Sequence, residues 1–211
     1  MKLSATNLVA TFLLGLIPAA CHAQEFSADV VYLAINKPDA PSTGTGTSPH
    51  PSSKLYVSKD KMRLEAHGLA DTILLVNAGE HTAVALFPAR KAYGPLSSGP
   101  SQYFRVENAD DACPDWQKHA DQKIVCEKVG NDMVDGRKTV KYKRPTTNSE
   151  ADYIWVDPKL NYVIKWHMDK ADAELRNIAE RPQSADLFAI PQGYEPLRPP
   201  KKPPKSTPRP R

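Results

Sequence analysis

Tyr162-Val163-Ile164-Lys165-Trp166-His167-Met168-Asp169 alternates large apolar side chains with mostly polar ones. Side chains along a strand point to opposite faces in turn. Tyr162, Ile164, Trp166 and Met168 are therefore expected on one face, and Val163, Lys165, His167 and Asp169 on the other. The first face is wholly apolar and large. Core packing would bury it, and so would the lining of a greasy cavity; methionine and tryptophan suit both.

Tyr153 to Val156 forms another strand pattern and stops at Asp157-Pro158. Before it, Gly130 to Val134 and Lys138 to Lys143 flank Asp135-Gly136, a two-residue hairpin signal because that turn needs positive φ. After it comes Glu174 to Ala179. The N-terminal half carries the same rhythm. Glu25 to Asn36 is rich in Val, Ile and aromatics. Leu55 and Val57 alternate with polar neighbours, as do Met62, Leu64 and Ala66. Thr72 to Asn77, Thr82 to Phe87 and Arg90 to Leu96 follow. Between the first two strands, Pro38 to Ser53 is rich in Pro, Gly, Ser and Thr and is expected to be a long loop. Helix signals are few: Pro100 to Val106, Pro114 to Ala120 with Asp111 or Cys113 near its start, and a single turn over Ser184 to Phe188. Short strands with turns between them, beside a minority of helix, predict an α+β fold that is mainly antiparallel β.

The two ends read differently. Lys2, the apolar run Leu8 to Ala20 and the small residues up to Ala23 fit a signal peptide over residues 1–23, cut before Gln24. That run is too short for a membrane span of about 20 residues, and no later segment is long and apolar enough. Pro18-Ala19-Ala20-Cys21 is a degenerate lipobox, so a lipidated Cys21 is the alternative. Cutting before Gln24 leaves Cys113 and Cys126, whose default in an oxidising compartment is a disulfide and whose alternative is two reduced thiols. Localisation is thus expected to be periplasmic or secreted.

Charge is unevenly spread. The chain is formally +4, but Lys2 holds one of those charges and residues 196–211 hold six, which leaves residues 24–195 at −3. The basic pI therefore belongs to the tail. Its seven prolines exclude regular structure, so residues 196–211 are expected to be a disordered, proline-rich basic extension of the domain over 24–195. Such a tail is either simply solvated or adheres to an anionic envelope surface. Nucleic acid is an improbable partner for an exported chain whose tail lacks aromatics.

No catalytic constellation stands out. The six histidines are His22, His50, His67, His81, His119 and His167, and they form neither HExxH nor any close-spaced pair. Nucleophile elbow and dinucleotide fingerprint are both missing, and Gly44-Thr45-Gly46 lacks strand-to-helix context. No metal, cofactor or catalytic residue is expected.

The C-terminal third resembles a known group. Gly130 to Thr139 (GNDMVDGRKT), Tyr153 to Asp157 (YIWVD), Glu174 to Ile178 (ELRNI) and Leu187 to Tyr194 (LFAIPQGY) occur in an order similar to exported proteins of the LolA-like superfamily, the outer-membrane lipoprotein carriers and their relatives. This resemblance implies an incomplete, half-open antiparallel β-barrel, with a small helical lid over a hydrophobic cavity for acyl chains. It implies a carrier or sensor for a lipid, lipoprotein or other hydrophobic ligand, not an enzyme. Candidates for the ligand-binding face are Leu64, Trp155, Tyr162, Ile164, Trp166 and Met168. The competing function is an envelope-associated structural or interaction protein that uses its tail on anionic surfaces. A hydrolase assembled from distant residues would require an open polar cleft with a His–acid pair.

Overall fold

The computed structural model describes residues 25–33, 53–66, 71–96, 104–118, 125–144, 151–168 and 171–197. Residues 1–23, Cys21 among them, most of the Pro38 to Ser53 loop, residues 100–103 and 119–120 of the two expected helices, Asp169, and the tail beyond Leu197 lie outside that set.

The described residues form one open, mainly antiparallel sheet of 12 strands. In chain order they are β1 (Phe26–Leu33), β2 (Ser53–Ser58), β3 (Lys61–Ala66), β4 (Thr72–Asn77), β5 (Thr82–Phe87), β6 (Ala92–Leu96), β7 (Glu127–Val134), β8 (Arg137–Arg144), β9 (Asp152–Asp157), β10 (Tyr162–Met168), β11 (Ala171–Glu180) and β12 (Glu195–Pro196). Across the sheet the order is β12-β6-β5-β4-β3-β2-β1-β11-β10-β9-β8-β7. Two meanders are thus joined where β11 returns beside β1. The sheet does not close on itself, and β12 on β6 is its parallel pairing.

Turn chemistry fixes much of the register. Asp135 and Gly136 both take positive φ, 48° and 74°, as a type I′ hairpin between right-twisted strands requires. At the β9–β10 turn Asp157 Oδ1 accepts from the backbone amides of Lys159 and Leu160 at 2.7 and 3.2 Å. Asn161 there takes φ 48°, a conformation that asparagine tolerates.

The helix expected over Pro114 to Ala120 is α1 (Cys113–Lys118). Trp116 packs its ring edge-on to Tyr142, 5.2 Å between centroids. Tyr142 Oη donates to Ala109 O at 2.7 Å and accepts from Ala112 N at 3.2 Å. Together with Val140, Ile154, Val156 and Val163 they make one hydrophobic cluster. The Cys113–Cys126 disulfide forms, tying α1 to the approach to β7. The expected single turn is a 3₁₀ turn over Ala185–Phe188. It belongs to a strap that bonds back to the sheet through Arg181 N to Glu25 O and Arg63 Nη1 to Leu187 O, each 3.0 Å. The strap carries the chain from β11 to the far edge.

Helix is scarcer than an α+β label suggests. α1 contributes no residue to the apolar cavity that the sheet encloses, and the helical lid that the resemblance implies is not among the described residues.

Candidate functional site

Strand registers explain how an apolar hollow arises. Val57, Met62, Val76, Ala83 and Leu96 are successive cross-strand partners over β2 to β6. Leu55, Leu64, Leu74, Ala85 and Gly94 form the parallel row two residues away. Residues directly opposite share a face, so ten apolar positions face the same way. Phe26, Ala28 and Val30 extend that face onto β1, and Leu175 onto β11.

The face does not fill its own space. A cavity of about 270 Å³ remains, lined by Val30, Tyr32, Leu55, Met62, Leu64, Leu74, Val76, Ala83, Leu96, Phe104, Tyr162, Trp166 and Leu175. Aromatic rings wall one end. Phe104 stacks on Tyr162 with centroids 6.1 Å apart and meets Trp166 edge-on at 5.2 Å. Tyr162 also meets Phe26 edge-on at 5.1 Å, and its hydroxyl lies 3.5 Å from Met62 Sδ. Burial pushes the Tyr162 phenol far above its usual pKa, against the opposing pull of Arg105. Arg105 stands over that ring, 5.8 Å from the centroid, and burial lowers its own pKa. The lining therefore presents mostly apolar area to a guest.

Three of the residues named from sequence meet here: Leu64, Tyr162 and Trp166. The other three do not line the cavity. Trp155 lies in the core cluster, 7% exposed, with its indole N–H donating to Asp132 Oδ2 at 2.8 Å. Lys141 and Lys165 sit over its ring. Ile164 is fully buried in the same cluster, while Met168 packs on the α1 side. For Met168 the physical reason is a register shift between Val163 and Lys165. Val163 lies opposite Val156 and Trp166 opposite Ile154. These two thus share a phase against β9 that strict alternation would deny them. Accordingly Trp166 touches both clusters.

Sequence reasoning missed most of the lining from β1, β4 and β5. In β1 the signal was present: Phe26, Ala28, Val30 and Tyr32 alternate with Ser27 and Asp29 among their neighbours. In β4 and β5 it was hidden, because both runs are apolar at consecutive positions.

Other groups lie elsewhere. His167 and Asp172, cross-strand partners, place Nδ1 and Oδ1 2.6 Å apart; neither lines the cavity. A second hollow of about 470 Å³ has a mixed lining, with Asp110, Asp132 and Lys138 beside Met133, Val140 and Pro158. Among the described residues no group of three His, Cys, Asp or Glu is placed to hold a metal, and no helix is long and apolar enough to cross a membrane.

Fold and hollow together define a class: an open antiparallel sheet curved around unfilled apolar space. Among solved structures the chain is similar to an uncharacterized conserved protein from Thermus thermophilus, with TM-score 0.51 and 10% identity over 83% of this chain and 91% of that one. At that identity the likeness is one of fold. A LolA superfamily protein from Nitrosomonas europaea is also found, at 10% identity over 79% of this chain and 89% of that one; its TM-score of 0.30 is too low to build on. No family model matches the chain, and no curated protein matches it.

Proposed function

We propose that the protein is a non-catalytic carrier or sensor for a hydrophobic ligand of the single-acyl-chain kind, working in the periplasm after export by residues 1–23. The observation that carries this reading is the hollow itself: about 270 Å³ walled by apolar side chains and rimmed by rings. A chain carbon takes roughly the 30 Å³ of a liquid water, so about nine fit. Burying nine methylenes at about 0.8 kcal/mol each gives roughly 7 kcal/mol before the loss of free motion on binding. Micromolar or weaker affinity follows. That strength suits a carrier, which must release its cargo. The Cys113–Cys126 disulfide suits an oxidising compartment. Leu64, Tyr162 and Trp166, with Val30 and Met62, are the proposed contacts.

A fluorescent fatty acid tests the proposal directly. Bound in the cavity it would lie against Trp166 and take up its emission. Saturable transfer that is lost in Trp166→Phe is the expected result, together with acyl chains in the mass spectrum of a solvent extract. Protein that extracts clean and leaves tryptophan emission unchanged up to the probe's solubility limit would refute the carrier.

A further inference from the structure

The cavity's rim is apolar and exposed. Tyr32 is 56% exposed and Leu96 43%, although both line the hollow. Leu96 stands on edge strand β6, Tyr32 on central β1, and a third apolar side chain stands beside Leu96 on the same edge of the sheet. Leu197, 44% exposed, lies over Gly94, and its Cδ1 is 3.1 Å from where a Cβ would sit. Gly94 and Leu96 share a face by alternation. The chain's heading is also fixed. β12 runs parallel to β6, and Leu197 N donates to Tyr93 O at 2.7 Å. Up to Leu197 the chain therefore travels toward the Leu96 end of β6.

Beyond Leu197 the charge is of one sign. Residues 198–211 carry Arg198, Lys201, Lys202, Lys205, Arg209 and Arg211 with no acid, and six prolines separate them. Charge without aromatic or aliphatic side chains suits a diffuse anionic surface better than a shaped protein pocket. We propose that the mouth of the cavity docks on a bilayer bearing anionic headgroups. Leu96 and Leu197 enter the interface, and residues 198–211 hold the contact by charge. A guest then passes between bilayer and hollow without crossing water. The docking deepens the carrier reading, yet it is measured independently of cargo.

The test uses phosphatidylcholine vesicles with and without about one-third phosphatidylglycerol, the anionic component that basic segments sense. Each cation near such a surface adds roughly fivefold in affinity, so removing residues 198–211 is expected to weaken binding at least a hundredfold. Binding should require phosphatidylglycerol and fade in high salt. An environment-sensitive dye on Leu197→Cys should shift to the blue on the vesicles. No binding to the anionic vesicles overturns the proposal, as does equal binding to both kinds or binding that survives truncation, as it would if the tail paired with the domain's own acids. Binding without a dye shift overturns it as well, since the tail would then adhere with the mouth turned away. Titrating a fluorescent fatty acid without vesicles separates the two ideas: its failure beside intact vesicle binding removes the cargo and leaves the docking.

Discussion

Along the row that crosses β2 to β6, Ala83 sits between Val76 and Leu96, and Ala85 sits in the next row between Leu74 and Gly94. Two alanines and a glycine occupy the end of a face that is otherwise Leu, Val and Met. Leu197 covers Gly94; Ala83 is left in the cavity wall. Ala83→Leu adds three carbons of roughly 30 Å³ each, about a third of the hollow. Its expected outcome is a tenfold or larger loss of fatty-acid affinity with the urea midpoint unchanged or raised, because filling a void recovers contacts. Full affinity in this variant would move the ligand elsewhere. At this scale the sequence was legible where chemistry is local. Asp135-Gly136 announced its turn because few residue pairs accept two positive φ angles. Trp155 was not legible. Its size suggested a ligand wall, but its destination depended on Asp132, a residue of another strand.

Strands β1 to β11 were readable, with boundaries within a few residues of the expected segments, whereas β12 was not, since its Pro196 falls where a disordered tail was expected. The register was not readable. The extra residue between Val163 and Lys165 depends on how β9 pairs, so no count along β10 alone reveals that Trp166 and Met168 leave the phase of Tyr162. β4 and β5 hid their inner face because Ile73-Leu74-Leu75-Val76 and Ala83-Val84-Ala85-Leu86 are apolar on both sides. Two element-level links should dominate stability. Asp157, 2% exposed, pairs with Arg137 of β8 and caps the β9–β10 turn through two amides. Removing Asp157 leaves the turn amides uncapped and Arg137 with Glu180 as its remaining carboxylate, so Asp157→Ala is expected to cost about 2 kcal/mol or more in urea unfolding. A cost near zero would mean that water already solvates Arg137. Breaking the Cys113–Cys126 link by Cys113→Ser with Cys126→Ser frees a 13-residue loop. The expected loss is about 3 kcal/mol in the chain-entropy account. If α1 is a satellite of the sheet, fatty-acid binding survives that change, because no residue of α1 lines the cavity.

Over the whole molecule the curvature of the sheet and the hollow within it emerge from every register acting together, which is why the fold class could be anticipated and the cavity only suspected. Charged links also span the sheet. Asp29 on β1 is held by Lys54 of β2 and accepts from Asn177 Nδ2 of β11 at 2.7 Å. Glu180 of β11 accepts from Lys159 Nζ and Arg137 Nη2, each at 2.9 Å. Asp132 of β7 accepts from the Trp155 indole of β9. All three carboxyls are held below their usual pKa: Asp29 foremost by Lys54, Glu180 by Lys159, Asp132 by the Trp155 indole. A carboxyl with a depressed folded pKa lends stability that is complete above its unfolded value, about 4, and is lost as pH falls through the folded value. The urea midpoint is therefore expected to stay level between about pH 8 and 5 and to fall below about pH 4. Lys54→Met should shrink that acid drop by weakening the Asp29 part. High salt should shrink it further by screening the exposed lysines, while the Asp132–indole hydrogen bond keeps its share. A midpoint that already declines between pH 8 and 5 would show that groups other than these carboxyls govern the molecule's response to acid.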